Sequence, residues 1–562
     1  MQFFWPPCDL GGSATLQLNM RLQILIITLT ASLALAAQCP AQTASRKGEV
    51  DRIFAGFNTH TPGCAVGVAE RGTVVLTAGY GMADLERNVA ITPETVFESG
   101  SVAKQFTAAA LMLLAQEGKI SLDDPMRKYL PELADYGAPL TIRQVISHIS
   151  GMREWRPIAA FGGAEEGTFV YTNRDLLQMA AQQRALNFDP GTHYSYTNTG
   201  FNIATILIER ALGNGKTFSA YTQEKIFGPL GMTESRWREN FRTVVPRRAL
   251  AYGPFGQGYV QQTPIENIIG AGGLLTTVGD LLKWNENFTH AKVGGAEFVQ
   301  AQQTPAQLRG GRTISYAAGL MVIRTDGLRE VSHSGATGGY RTWLGRYPDL
   351  GVSVAVMCNS AQANASRLGR ETARLWTGGK AAAAAAFAAD PAKLQALAGL
   401  YRKTRDNTVL ELTWKDGRLA AVGSSGELKA VAEGRFELGG GEVRFEEQNG
   451  VPVSLWMRTP DDEVQFVRVE PARPSKGELG ALAGEYESAE TASRLVVALA
   501  PGGELTYRIG RNAPVTLRAT FRDGFVTAAG GSIFFLRDAA GKVVGLSAGE
   551  ARVWDLRFAR LR

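Results

Sequence analysis

The sequence predicts an α+β chain in which one mixed domain is followed by two small antiparallel β-barrel modules. Three observations carry this. Strand-like segments at 64–69 and 73–78 precede a long helical region and return at 320–324, 342–347 and 352–358, so the first and last strands are expected to share one sheet. Composition changes once, at the Ala-rich stretch 381–389 that ends in Asp390-Pro391, which reads as a domain boundary. Downstream, short alternating strands are broken by tight turns, and the pattern repeats itself.

Length and composition agree. A chain of 562 residues with 45% hydrophobic and 20% charged side chains is too long for one core, and two to four packed domains are expected. Disorder is excluded as the dominant state. The formal charge of +6, from 59 basic and 53 acidic residues, comes without a block of like charges, so nothing calls for nucleic acid. The 4 cysteines lack the short paired spacings of a zinc or redox site.

In chain order, the first element is the apolar run 22–37, which follows Met20-Arg21 and ends in small residues. It reads as the core of a secretory signal, too short to span a bilayer. Residues 1–19 hold Asp9 and no basic residue, so Met20 is a candidate true start, and residues 1–42 are set aside from the fold. A lipid anchor on Cys39 is not expected, because Gln38 stands where a small residue would be needed. The mature chain is expected to be periplasmic or secreted, without stable membrane insertion.

Residues 43–378 form the mixed domain. Cys64 and Cys358 would begin the first and end the last strand of its sheet, so a bridge is geometrically open, with free buried thiols preferred. Beyond 390, Val409-Leu410-Glu411-Leu412-Thr413-Trp414 runs into the turn Lys415-Asp416-Gly417-Arg418. The segment Ala396-Leu397-Ala398-Gly399-Leu400-Tyr401 recurs as Ala481-Leu482-Ala483-Gly484-Glu485-Tyr486. Two copies of one module follow, 390–472 and 476–562, joined by the stiff Glu470-Pro471-Ala472-Arg473-Pro474. Each is expected to close into a small barrel around its own core.

The chemistry centres on Ser99-Gly100-Ser101-Val102-Ala103-Lys104, which leads into an apolar helical run ending near Gly118. At the start of a helix, Ser101 meets unpaired N–H groups and a favourable dipole, and Lys104 lies one turn on along the same face. An amine held there can take the serine proton, or when charged lower the cost of the alkoxide. A lone Ser-x-x-Lys is more often a serine cap, but this is the only one in the chain. It has company: Tyr196-Thr197-Asn198 is a Tyr-x-Asn, and His333-Ser334-Gly335 is a His-x-Gly entering a strand.

In that order, the three motifs make residues 46–377 resemble the serine β-lactamase and penicillin-binding-protein superfamily, in its class C β-lactamase, DD-peptidase and D-aminopeptidase branch. The stretches 140–151 and 272–277 add to the resemblance. It implies an antiparallel sheet flanked by helices, with a helical subdomain. It also implies that Ser101 is acylated, that Lys104 and Tyr196 move protons with the formal base undecided, and that Asn198 orients Lys104 and the substrate amide. An oxyanion hole would come from the N–H groups of Ser101 and Ala336. His333, Ser334 and Gly335 would flank the substrate. Histidine stands where class C enzymes usually carry lysine, and being mostly neutral at pH 7 it is the weaker anion anchor.

Other motifs are read as structural. Gly545-Leu546-Ser547-Ala548-Gly549 has the spacing of a nucleophile elbow but lies among strands, without the parallel sheet that elbow needs. Tyr171-Thr172-Asn173 reads as a helix start. His148 reads as a hydrogen-bonded core histidine rather than a triad base.

The function expected is therefore a periplasmic or secreted serine hydrolase that cleaves amide or ester bonds through an acyl-enzyme, on peptides containing D-amino acids. No metal or cofactor is implied. The alternatives are a class C-like β-lactamase or carboxylesterase, and a penicillin-binding receptor or cell-wall adaptor with little turnover. The partners are a small peptide, amide or ester, cell-wall peptides included.

Overall fold

The computed structural model describes residues 45–561, apart from 166, 380–386, 388, 424–425, 440, 460 and 551. The signal expected at 1–42 and most of the Ala-rich boundary lie outside the described residues. The described residues 45–56 belong to a unit of their own, in which 45–53 are helical. The rest of the chain, from Phe57, is a second compact unit.

Its centre is a six-stranded antiparallel sheet of β1 (Cys64–Glu70), β2 (Thr73–Tyr80), β3 (Met321–Thr325), β4 (Leu328–Thr337), β5 (Tyr340–Tyr347) and β6 (Val352–Cys358), in the order β3-β4-β5-β6-β1-β2. The first and last strands are direct neighbours, with Cys64 opposite Cys358. β1 and β6 lie in the middle and are buried on both faces, which is why they read as unbroken apolar runs. Helices Val278–His290 and Ala365–Thr377 pack on the sheet.

The register also corrects one expectation. Cys64 and Cys358 are joined in a disulfide rather than left as free thiols. Antiparallel pairing sets the two residues directly across from each other in a fully buried place, which brings the two sulfurs together.

The helix Lys104–Gln116 is buried along most of its length, and the run Ala108-Ala109-Ala110 lets neighbouring elements come close. A 3-10 turn, Gly100–Ala103, leads into it. Ser101 thus sits in this entry turn and makes no side-chain cap. The turn is held from below by the pairing of Phe97–Glu98 with Leu274–Thr276 and by the Ser99 N–H, which donates to Leu274 O at 2.8 Å. From the side it is held by β4.

Both C-terminal modules are eight-stranded, but only the second is a closed barrel. In the first, the end strands Arg418–Ala421 and Lys429–Ala432 do not pair along their length; the segment just before the latter meets the former, through the bridge of Ala420 with Glu427 and the Leu428 N–H donating to Leu419 O at 2.8 Å, so the expected closure is incomplete. The sequence repeat has a physical meaning. Tyr401 Oη donates to Leu397 O at 2.9 Å and Tyr486 Oη to Leu482 O at 2.7 Å, the same buried plug in each module. Arg468 and Arg560 lie over these two rings, at 6.0 and 5.9 Å.

The second module does not keep its core to itself. Ile158 and Phe161, from the helix Trp155–Phe161, are buried within its apolar cluster. Beside them Arg153 and Glu490 form a buried ion pair at 2.6 Å. The bond from Asn187 Nδ2 to Arg552 O, at 2.8 Å, and that from Trp554 N to Asn187 Oδ1, at 3.0 Å, pin the hairpin before the strand Val553–Arg560.

Candidate active site

Of the residues singled out from sequence, Ser101, Tyr196, Asn198, His333, Ser334 and Ala336 line one cleft of about 540 Å³, with Lys104 and Gly335 buried beside it. Ser101 and Lys104 come from the entry turn and the first helical residue, and helical spacing brings Lys104 Nζ to 3.0 Å from Ser101 Oγ. Tyr196 and Asn198 lie just ahead of the helix Thr199–Leu212. Lys104 Nζ also donates to Asn198 Oδ1 at 2.7 Å and to Ala271 O at 2.9 Å, so three oxygens hold the amine in place.

Lys104 is fully buried. Burial pushes its pKa well below the usual lysine value; Glu154 opposes this and the Arg552 guanidinium adds to it. Tyr196 moves the other way: burial raises its phenol, against the hydrogen bond with Ser101 and the charge of Arg552. Next to the serine there is thus an amine biased toward its neutral form and a phenol that keeps its proton. That pairing suits the amine to accept a proton and the phenol to donate one.

His333, Ser334, Gly335 and Ala336 lie on β4, against the entry turn. A Cβ on Gly335 would fall 2.0 Å from Ser99 O and 3.1 Å from Ser101 N. One on Gly100, which has a φ of +52°, would fall 2.6 Å from Ala336 N. Glycine at both places lets the entry turn and β4 approach backbone to backbone beside Ser101 and Ala336, the closeness that the expected oxyanion hole requires. Ser334 is exposed in the cleft.

His333 uses both ring nitrogens. Nδ1 lies 2.6 Å from Ser334 O, which can only accept, so Nδ1 carries the proton; Nε2 then accepts from Tyr316 Oη at 2.9 Å. Burial and the charge of Lys104 push this histidine down to about 3, against the bond to Ser334 O. It lines the cleft as a neutral group.

Three contributors carried no signal in the sequence. Glu154 Oε2 accepts from the Asn198 and Thr197 groups, and its Oε1 from Asn198 Nδ2 at 2.9 Å, which turns the Asn198 carbonyl toward Lys104. Ala271 supplies a main-chain oxygen. Arg552, from the last module, stands 4.7 Å from the centroid of Tyr196. No local pattern marks any of them, since each matters only through tertiary placement.

The motifs read as structural lie elsewhere or serve packing. Ser547 is inside the strand Val543–Glu550 and donates to Asp555. Thr172 caps the helix Asn173–Gln182, and Asn173 ties it to Ile269 and Thr205. His148 is buried with its ring 4.1 Å from that of Tyr196, and its Nδ1 accepts from Thr197 N at 3.3 Å.

A family model described as Beta-lactamase matches residues 50–378. A D-aminopeptidase of Brucella melitensis is 27% identical over 515 residues, covering 88% of this chain and 94% of the relative. Among solved structures, the octameric penicillin-binding protein homologue from Pyrococcus abyssi superposes with a TM-score of 0.55 at 24% identity, over 76% of this chain and 99% of its own. The D-amino acid amidase from Ochrobactrum anthropi SV3, complexed with D-phenylalanine, does so at 0.50 and 20% identity, over 60% of this chain and 100% of its own.

Proposed function

Since this chain belongs to the beta-lactamase family and is a serine hydrolase, we propose that it cleaves amide bonds of D-amino-acid-containing peptides or amides through an acyl-enzyme on Ser101. The observation that carries this reading is the 3.0 Å contact between Ser101 Oγ and a buried Lys104 amine biased toward its neutral form. The substrate class draws support from the D-aminopeptidase and D-amino acid amidase relatives, with cell-wall peptides as one source of such bonds.

In this mechanism Ser101 Oγ attacks the carbonyl carbon and its proton passes to Lys104 Nζ. The carbonyl oxygen takes up negative charge between the N–H groups of Ser101 and Ala336. As the C–N bond breaks, the leaving nitrogen takes the phenol proton of Tyr196, and the Lys104 ammonium returns one to the phenoxide. Water then attacks the ester by the same route, releasing the acid and restoring Ser101. Asn198, fixed by Glu154, keeps Lys104 aimed at Oγ. Export to an oxidising compartment is part of the proposal, supported by the buried Cys64–Cys358 disulfide.

The test is a panel of D- and L-amino-acid amides, short esters and a chromogenic cephalosporin, assayed with wild type, Ser101→Ala and Ser547→Ala. Ser101→Ala should lose both turnover and the covalent adduct seen by intact mass, with Ser547→Ala keeping both. Turnover at even a tenth of wild type in Ser101→Ala would place the nucleophile elsewhere. Faster turnover of the L-amides than of the D-amides would refute the substrate class.

A further inference from the structure

Arg552 brings a positive charge to the cleft. Its guanidinium lies over the Tyr196 ring and lines the cleft together with Ser101 and Ser334. Among the described residues no Asp or Glu pairs with it, whereas the cleft's other arginines are engaged. Arg238 is bound to Glu98 at 2.9 Å and Arg156 to Glu266 at 2.5 Å, while Arg341 turns back onto the carbonyls of Gly338 and Tyr340. The placement of Arg552 is built rather than incidental, because Asn187 holds its carbonyl and the amide of Trp554 two residues on. The nearby basic groups are committed elsewhere: Lys104 is occupied by three oxygens, and His333 is neutral with both nitrogens bonded, while the Glu154 carboxylate is taken up by Thr197 and Asn198.

Arg552 is partly buried on the wall of the cleft, and a guanidinium that reaches a cleft without an acid beside it is free to take a carboxylate of the ligand in a charge-assisted pair. Tyr196 is the group placed to protonate the departing amine, so a charge stacked on its ring faces the departing half of the substrate. We propose that Arg552 binds a carboxylate on the leaving group, so that the enzyme selects substrates whose departing amine is an amino acid with a free carboxylate. This rests on the acyl-enzyme reading above. It adds that the C-terminal module takes part in substrate recognition through one named side chain.

The experiment uses the full chain and matched pairs of N-acyl-D-dipeptides, identical except that one ends in a carboxylate and the other in a carboxamide, at pH 7 and low ionic strength. Wild type should show kcat/KM for the acid at least tenfold above that for the amide. Arg552→Gln should cut that ratio tenfold or more, and Arg552→Lys, keeping the charge but not the fork, should retain part of it. A ratio equal in wild type and Arg552→Gln overturns the proposal. If neither substrate is turned over, the amide panel above decides whether the proposed function fails, and binding decides this inference. By calorimetry, Ser101→Ala should bind the acid at least tenfold more tightly than the amide, and the double variant with Arg552→Gln should lose that preference; equal binding of acid and amide to Ser101→Ala refutes the subsite.

Discussion

The carbonyl of the Asn198 side chain faces the Lys104 amine at 2.7 Å because the amide end of the same side chain is bound by Glu154. The carboxylate therefore acts on the lysine twice, by fixing its partner and by its own charge. The charge favours the ammonium form and so raises the pKa of Lys104, while Arg552 lowers it. If the neutral amine is the base, the acid limb of kcat/KM follows Lys104. Glu154→Gln should move that limb to lower pH and Arg552→Gln to higher pH, with kcat also falling in Glu154→Gln as Asn198 loses its hold. Full pH profiles of both variants check this; shifts in the same direction would assign the limb to another group.

Gly335→Ala should cost at least about a hundredfold in kcat, in the range seen when an oxyanion donor is displaced. The added methyl would overlap Ser99 O, and the entry turn and β4 must part to admit it. Pre-steady-state acylation with an activated ester measures the step directly. A variant that acylates at the wild-type rate would show that the two amides do not share one oxyanion.

Replacing both cysteines, Cys64→Ala with Cys358→Ala, should lower stability by about 2–4 kcal/mol while leaving acylation intact, because the bond closes a span of 294 residues yet lies away from the cleft. Thermal melts of wild type with and without reductant, beside the double variant, provide the comparison. Equal melting temperatures in all three would mean that strand pairing alone holds β1 to β6.

Glu490→Ala should destabilise the chain by about 3–5 kcal/mol, since it strands Arg153, whose side chain is 2% exposed. Glu490→Gln, which keeps the shape and part of the hydrogen bonding, should cost less. Urea denaturation of both resolves the difference. Removing the second module altogether should do more harm than either substitution, because it bares Ile158 and Phe161 as well.

What was legible in the sequence was what repeats or follows helical geometry. Ser101 and Lys104 three residues apart, the order of the three motifs, the return of strands near 342–358 and the doubled Leu-Ala-Gly segment all express local spacing. The pairing of Cys64 with Cys358 was visible as a possibility of register, but its oxidation was not, because spacing says nothing of redox state. Glu154 and Arg552 were hidden for a different reason. An isolated acid and an isolated arginine look like any others until the fold sets one behind Asn198 and the other over Tyr196. Likewise, the incomplete closure of the first module depends on how its end strands meet, which alternation does not encode.

The presence of Arg552 in the cleft also orders events during biosynthesis. At roughly 5–20 residues per second, the ribosome reaches Arg552 tens of seconds after it has made Ser101 and Lys104. Through that interval the growing chain holds its serine and its lysine without the wall that the last module provides. The chain therefore carries its serine and lysine before the side chain that completes the cleft wall exists, and that wall is complete only when the final hairpin settles against Asn187.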